Sequence, residues 1–128
     1  MYCFVDTAYL RGREPGQVAR QLCDGGADLN QLRAKGIPIE AVQSMAEAVA
    51  PITAAANVGL VINDHLEVAR AVGADFCHLG QEDFFDSGYS HTSQLKIQGP
   101  KPGIGLSTHS PEQASRAIAA GAGYIAIG

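Results

Sequence analysis

The sequence predicts an α/β fold built on a parallel sheet, and three observations carry that expectation. Short apolar runs alternate with longer segments of helical period. The runs are rich in Val, Ile, Leu, Phe and Tyr, the composition of strands covered on both faces. Gly26-Ala27-Asp28, Gly73-Ala74-Asp75 and Gly121-Ala122-Gly123 recur roughly every 47 residues, each closing a helical segment and opening a strand. That spacing fits two strand–helix units of a β/α barrel or a doubly wound sheet.

Taken in order, the expected strands are Tyr2–Val5, Asp28–Arg33, Val58–Asn63, Asp75–Gly80, Gly103–Ser107 and Tyr124–Ile127. Between the first two, Val18, Ala19, Leu22 and Cys23 share one helical face. Between the second and third, Ile39, Val42, Met45, Ala46 and Val49 do the same. Leu66–Val72 is a short helix closed by Gly73. From Gly88 to Lys101 the pattern is too weak to place a helix. Ser110-Pro111-Glu112-Gln113 opens the last helix: serine as cap, proline at the first position, and Gln113 expected to reach back and complete a capping box. That helix runs through Ala114–Ala120 and stops at Gly121. No linker or domain boundary interrupts the chain.

Composition narrows the class. With 128 residues, 46% hydrophobic and 17% charged, the chain has material for one packed core and is too apolar for a disordered tail. The net charge of −4 and the pI near 5.4 argue against a nucleic-acid groove or an anionic membrane surface. Cys3, Cys23 and Cys77 are odd in number and form no paired motif, so they read as buried structural thiols in a reducing compartment. The absence of a leader-like or membrane-length apolar run leads to a cytoplasmic expectation.

In parallel α/β folds ligands collect at the carboxyl ends of the strands, and polar residues gather there in this chain. Gln31-Leu32-Arg33-Ala34-Lys35 follows the second strand, with Gln31 and Arg33 on one face and Lys35 continuing it. Asn63-Asp64 follows the third and reads either as a helix cap or as a ligand pair. His78-Leu79-Gly80-Gln81-Glu82-Asp83 follows the fourth, where His78 alone reads as a core histidine. Gly105-Leu106-Ser107-Thr108-His109-Ser110 follows the fifth and offers hydroxyl and backbone donors for an oxyanion. Two unit charges about 4 Å apart interact by roughly 4 kcal/mol at an effective dielectric near 20. Bare Asp64 and Asp83 would therefore oppose the phosphate that Arg33 and Lys35 attract. A diphosphate bound with Mg²⁺ between it and the carboxylates uses all four charges.

These four segments, in this order, together with Tyr124-Ile125-Ala126-Ile127-Gly128 as a sixth strand, resemble the thiamine-phosphate synthase family over essentially the whole chain. The resemblance implies a β/α barrel of the triosephosphate isomerase type, here cut after strand six of eight. It makes residues 1–128 one thiamine-phosphate synthase-like domain lacking its C-terminal part. It also implies a transferase of thiamine biosynthesis that joins hydroxymethylpyrimidine diphosphate to thiazole phosphate, giving thiamine phosphate and pyrophosphate. By position, Gln31, Leu32, Arg33, Ala34, Lys35, Asn63 and Ser107 would bind the pyrimidine diphosphate, and Asp64 and Asp83 would bind Mg²⁺. No residue is required as a nucleophile, and Cys77, His78 and His109 receive no such role. The expected partners are the two small substrates, with no nucleic acid and no membrane; a homo-oligomer is compatible with the sequence.

Two departures stand out. Asn30 occupies a position where the family has an apolar residue, and alternation points it toward the covering helices. The family's later segments that hold the thiazole phosphate have no counterpart before Gly128, so residues 1–128 by themselves are expected to bind the diphosphate without completing the condensation. The alternatives are a thiazole tautomerase-like isomerase on the same fold and a non-catalytic phosphate-binding fragment. Asp64, Asp83 and the Gly80-Gln81-Glu82-Asp83 run favour the synthase over the first.

Overall fold

The computed structural model describes residues 1–128. Six strands form in the expected places: β1 (Tyr2–Asp6), β2 (Leu29–Arg33), β3 (Gly59–Asn63), β4 (Phe76–Leu79), β5 (Gly103–Thr108) and β6 (Tyr124–Ile127). The crossovers carry α1 (Pro15–Asp24), α2 (Ile39–Ala55), α3 (Leu66–Val72), α4 (Gln81–Phe84) and α5 (Pro111–Ala119). Neighbours in the sheet follow chain order from β1 to β6, and every pair is parallel. The sheet curls so far that the hydroxyls of Tyr2 and Tyr124, on its first and last strands, meet at 2.8 Å. The result is a six-stranded α/β half-barrel with its helices on the convex side.

Strand alternation divides the side chains between the two faces. Val5, Leu32, Ile62, Cys77, Leu79, Ile104 and Leu106 look outward and join Val18, Ala19, Val42, Ala46, Val49, Val68, Ala69 and Ala117 in one hydrophobic cluster. Burying each such Val, Leu or Ile contributes about 1.5–3 kcal/mol. Asn30 lies among them with no exposure, as alternation requires. Its Nδ2 donates to Cys23 Sγ on α1 at 3.6 Å, while its Oδ1 has no partner.

Helix ends follow the local chemistry, with two corrections. Gly26, Gly73 and Gly121 all take positive φ, which explains the recurring glycine at each helix-to-strand turn. Ser110 Oγ accepts from Gln113 N at 3.1 Å, but Gln113 Oε1 accepts from His109 N at 2.7 Å rather than from Ser110, so the expected capping box is displaced by one residue. Asp64 does not cap α3; His65 holds that position, without a side-chain cap bond, because Asp64 turns away at φ 70°. Only Cys77 of the three cysteines is fully buried; Cys3 and Cys23 are half-buried, and all three are free. In the weakly patterned stretch a 3₁₀ turn forms at Thr92–Leu95, capped reciprocally by His91 and Gln94. No helix is long and apolar enough to cross a membrane.

Candidate active site

The rim at the carboxyl ends of β2 to β5 carries the charged and polar groups that the sequence singles out. Arg33 ends β2, and its Nε stands 3.7 Å from Asp6 Oδ2 at the end of β1. Lys35, just beyond, places Nζ 2.5 Å from Asp64 Oδ2. Asp64 reaches it by adopting a left-handed backbone, a conformation Asp tolerates better than most residues, while its N–H donates to His78 O at 2.9 Å. Each cation thus sits against a carboxylate, and both pairs are partly exposed. An incoming polyanion can exchange with the carboxylates at little cost, since exposed ion pairs are worth about 0–1 kcal/mol.

Asn63 is buried at the end of β3, in register with His78 of β4. Asp83 lies exposed in the first turn of α4. Ser107 is half-buried near the end of β5; its carbonyl accepts from Gln81 Nε2 at 2.7 Å, which ties α4 to β5. Leu32 and Ala34 differ from their neighbours. Both belong to the hydrophobic cluster between sheet and helices, so only their main chain can face a ligand.

Below the rim, the concave face holds a continuous chain of hydrogen bonds. Gln31 Nε2 donates to the Tyr2 hydroxyl at 2.8 Å, which meets the Tyr124 hydroxyl at 2.8 Å. The latter meets His78 Nδ1 at 2.8 Å, and His78 Nε2 meets Ser107 Oγ at 2.7 Å. His78 and Tyr124 also stack, with ring centroids 5.6 Å apart. Burial lowers the affinity of the His78 imidazole for a proton, against the pull of Asp64, and so favours the neutral ring. Burial pushes the Tyr124 phenol up, so it keeps its hydrogen. Burial likewise pushes the Cys77 thiol up to about 12, with the Asp64 carboxylate adding to it; such a thiol is no nucleophile at neutral pH. Gln31 Oε1, buried, has no partner and offers an unused acceptor. Tyr2, Tyr124, Gln81 and Asp6 are absent from the sequence-derived set. The inward phase of strand alternation would have marked the two tyrosines, which the sequence reading counts only as strand formers.

The donor set suits a hard divalent cation. No three His, Cys, Asp or Glu side chains gather around one point; the rim carboxylates of Asp64 and Asp83 are oxygen donors of the kind such a cation takes. One or two carboxylates, completed by water and substrate phosphate, is the usual arrangement for Mg²⁺. A separate cavity of about 320 Å³ opens at the opposite, amino ends of the strands, between Thr53, Asn57, Gly59, Asp75 and Lys101, and no rim residue lines it.

A family model described as thiamine monophosphate synthase matches residues 1–128. A thiamine-phosphate synthase of Roseiflexus castenholzii is 39% identical over 128 residues, which is 100% of this chain and 54% of that protein. One from Lawsonia intracellularis is 34% identical over 128 residues, covering 100% of this chain and 57% of that protein. Among solved structures, the thiamine phosphate pyrophosphorylase from Pyrococcus furiosus superimposes with a TM-score of 0.81 at 26% identity, covering 99% of this chain and 58% of that one. The chain spans little more than half the length of the relatives it matches.

Proposed function

The chain belongs to the thiamine monophosphate synthase family, and on that premise we propose that residues 1–128 form the diphosphate-binding part of a thiamine-phosphate synthase. The parent reaction joins hydroxymethylpyrimidine diphosphate to thiazole phosphate. The methylene C–O bond breaks with its electron pair leaving on the diphosphate, and the thiazole nitrogen forms the new C–N bond to the resulting pyrimidinylmethyl cation. Thiamine phosphate and pyrophosphate are the products.

Such a reaction asks a protein to neutralise a departing diphosphate and to hold two partners in line, rather than to supply a nucleophile. Arg33 and Lys35 would bring positive charge to the diphosphate. Ser107 would donate a hydrogen bond to it. Gln31, through its free Oε1, and Asn63 would accept from or donate to the pyrimidine side, and the main chain of Leu32 and Ala34 would complete that wall. Asp64 and Asp83 would hold Mg²⁺, which when bound supplies charge neutralisation for the leaving diphosphate. The observation that carries the reading is that two cations, two carboxylates and a hydroxyl from different strand–helix units share one rim. The isomerase alternative gives the carboxylate pair no task and is not favoured.

The finer architecture we infer is an eight-stranded β/α barrel to which these six strands contribute consecutive staves; their order, their curl and the greater length of the relatives support it. We place the protein in the cytoplasm, with its two small substrates as partners. The thiazole phosphate would be held by segments outside residues 1–128, so these residues alone would bind the diphosphate without condensing it.

Isothermal titration of hydroxymethylpyrimidine diphosphate, with and without Mg²⁺, tests the reading. Saturable binding that requires the metal and is lost in Lys35→Ala is expected. Metal-independent binding that Lys35→Ala leaves unchanged would reject it.

A further inference from the structure

We propose that Tyr124 is a positioning residue: it sets the tautomer of His78 and so leaves the Ser107 hydroxyl hydrogen free for a ligand oxyanion. The proposal rests on the reading of Ser107 as a diphosphate donor and adds two residues, Tyr124 and Tyr2, that act on it through His78.

The argument is a count of hydrogens along the chain of bonds. Four links join Gln31, Tyr2, Tyr124, His78 and Ser107, each 2.7–2.8 Å long. A neutral imidazole has one N–H, and each hydroxyl has one O–H. Gln31 Nε2 can only donate, so the Tyr2 oxygen accepts. Tyr2 then has its own hydrogen to place, and the Tyr124 oxygen is the partner in reach. Tyr124, having accepted, donates to His78 Nδ1. The imidazole hydrogen must therefore sit on Nε2, where it points at Ser107 Oγ. Ser107 becomes an acceptor toward His78, and its hydrogen has no internal use. In the opposite polarity Tyr124 would donate to Tyr2, and the Tyr2 hydrogen would be stranded on the concave face. Ser107 would then spend its hydrogen on His78 Nε2, and only its lone pairs would face a diphosphate.

The packing around Tyr124 is specific to this task. Gly105 lies beside Tyr124 in register, and a side chain there would overlap the phenol ring and its hydroxyl. The missing Cβ lets the ring lie across β5 and stack on His78. A ring recruited only for apolar packing would have no need of hydroxyl contacts to both Tyr2 and His78.

Nitrogen-15 NMR of the full chain decides the matter first, read on the unsubstituted relay. The imidazole nitrogens of His78, identified by the signals lost in His78→Gln, are expected to show Nε2 protonated and Nδ1 bare. The reverse tautomer would overturn the proposal. Tyr124→Phe removes the donor to Nδ1 and is expected to move His78 toward the Nδ1–H form. The second readout is titration with inorganic pyrophosphate and Mg²⁺. A hydrogen bond to a charged group is worth about ten- to a hundredfold in affinity. Ser107→Ala is expected to lose that much, Tyr124→Phe part of it, and the double variant no more than Ser107→Ala alone. Additive losses would show that Tyr124 does not act through Ser107. If the wild-type chain binds no pyrophosphate, the diphosphate reading fails, while the His78 tautomer still decides the relay.

Discussion

Gly105 and Tyr124 face each other across β5 and β6, and the phenol ring fills the space that any side chain at Gly105 would need. The pair is an instance of a small residue cut to fit a large one on the concave face. Gly105→Ala is expected to cost about 1–3 kcal/mol, the usual penalty for overpacking a formed interior. Urea unfolding would measure it. Near-ultraviolet circular dichroism should change with it as Tyr124 tilts away; an unchanged spectrum and midpoint would show that the ring has room to spare.

Asp64 and Asp83 should part company on substitution. Asp83→Asn removes one carboxylate and is expected to weaken only the Mg²⁺-dependent affinity for pyrophosphate. Asp64→Asn also releases Lys35, its partner at 2.5 Å, so metal-independent anion binding should rise while the metal-dependent part falls. Titration calorimetry with and without Mg²⁺ separates the two, and identical behaviour of the variants would refute the division of roles.

Asn30 is the one polar side chain that the sequence places on the helix-facing side of β2, and the fold gives it only half of what it needs. Its Nδ2 reaches a sulfur, a weak acceptor, and its Oδ1 reaches nothing. An unsatisfied buried polar atom costs about 1–3 kcal/mol. Asn30→Leu, close in volume and apolar, is expected to raise stability by about 1 kcal/mol in chemical denaturation. A loss of stability would mean that the contact with Cys23 matters more than its length indicates.

Asp75 links stability to pH at the amino ends of the strands. Burial alone would raise its carboxyl, but Lys101 Nζ at 2.7 Å and the Leu60 N–H at 2.9 Å outweigh it and hold the group below the usual carboxylate value. Because the folded value is depressed, its contribution is complete above the unfolded pKa of about 3.9 and fades as pH falls through the lower folded value. Wild-type stability should therefore drop through that acid window more steeply than that of Asp75→Asn. Parallel curves would remove Asp75 from the account.

Much of this was readable before any coordinates. The six strands announce themselves by apolar runs, and Gly26, Gly73 and Gly121 mark where helices must stop. Arg33, Lys35, Asp64, Asp83 and Ser107 follow from a rule about strand ends. What escaped has a common physical cause: it depends on partners distant in the chain. The Thr92–Leu95 turn has no apolar period to betray it and is docked by Thr92 N–H donating to Ala120 O. Asp64 turns left-handed, giving up the cap of α3, and pairs with Lys35, a residue 29 positions earlier. The side chain of Gln113 reaches His109 rather than Ser110, a choice of one residue that local sequence does not fix.

The Tyr2–Tyr124 bond spans a sequence separation of 122 residues. Closing a loop of that length in a flexible chain is entropically unfavourable, and contacts of such separation form once shorter-range pairing has brought their ends together. Each neighbouring strand pair from β1 to β5 can assemble through a single crossover, whereas this bond needs all of them in place. During synthesis the amino end emerges first. A nascent chain can thus bury much of its outer core and carry its charged rim while Ser107 still lacks the oriented partner that Tyr124 provides through His78. Maturation of the donor geometry then waits on the docking of β6, and a ligand that selects it would report on chains whose sixth strand is in place.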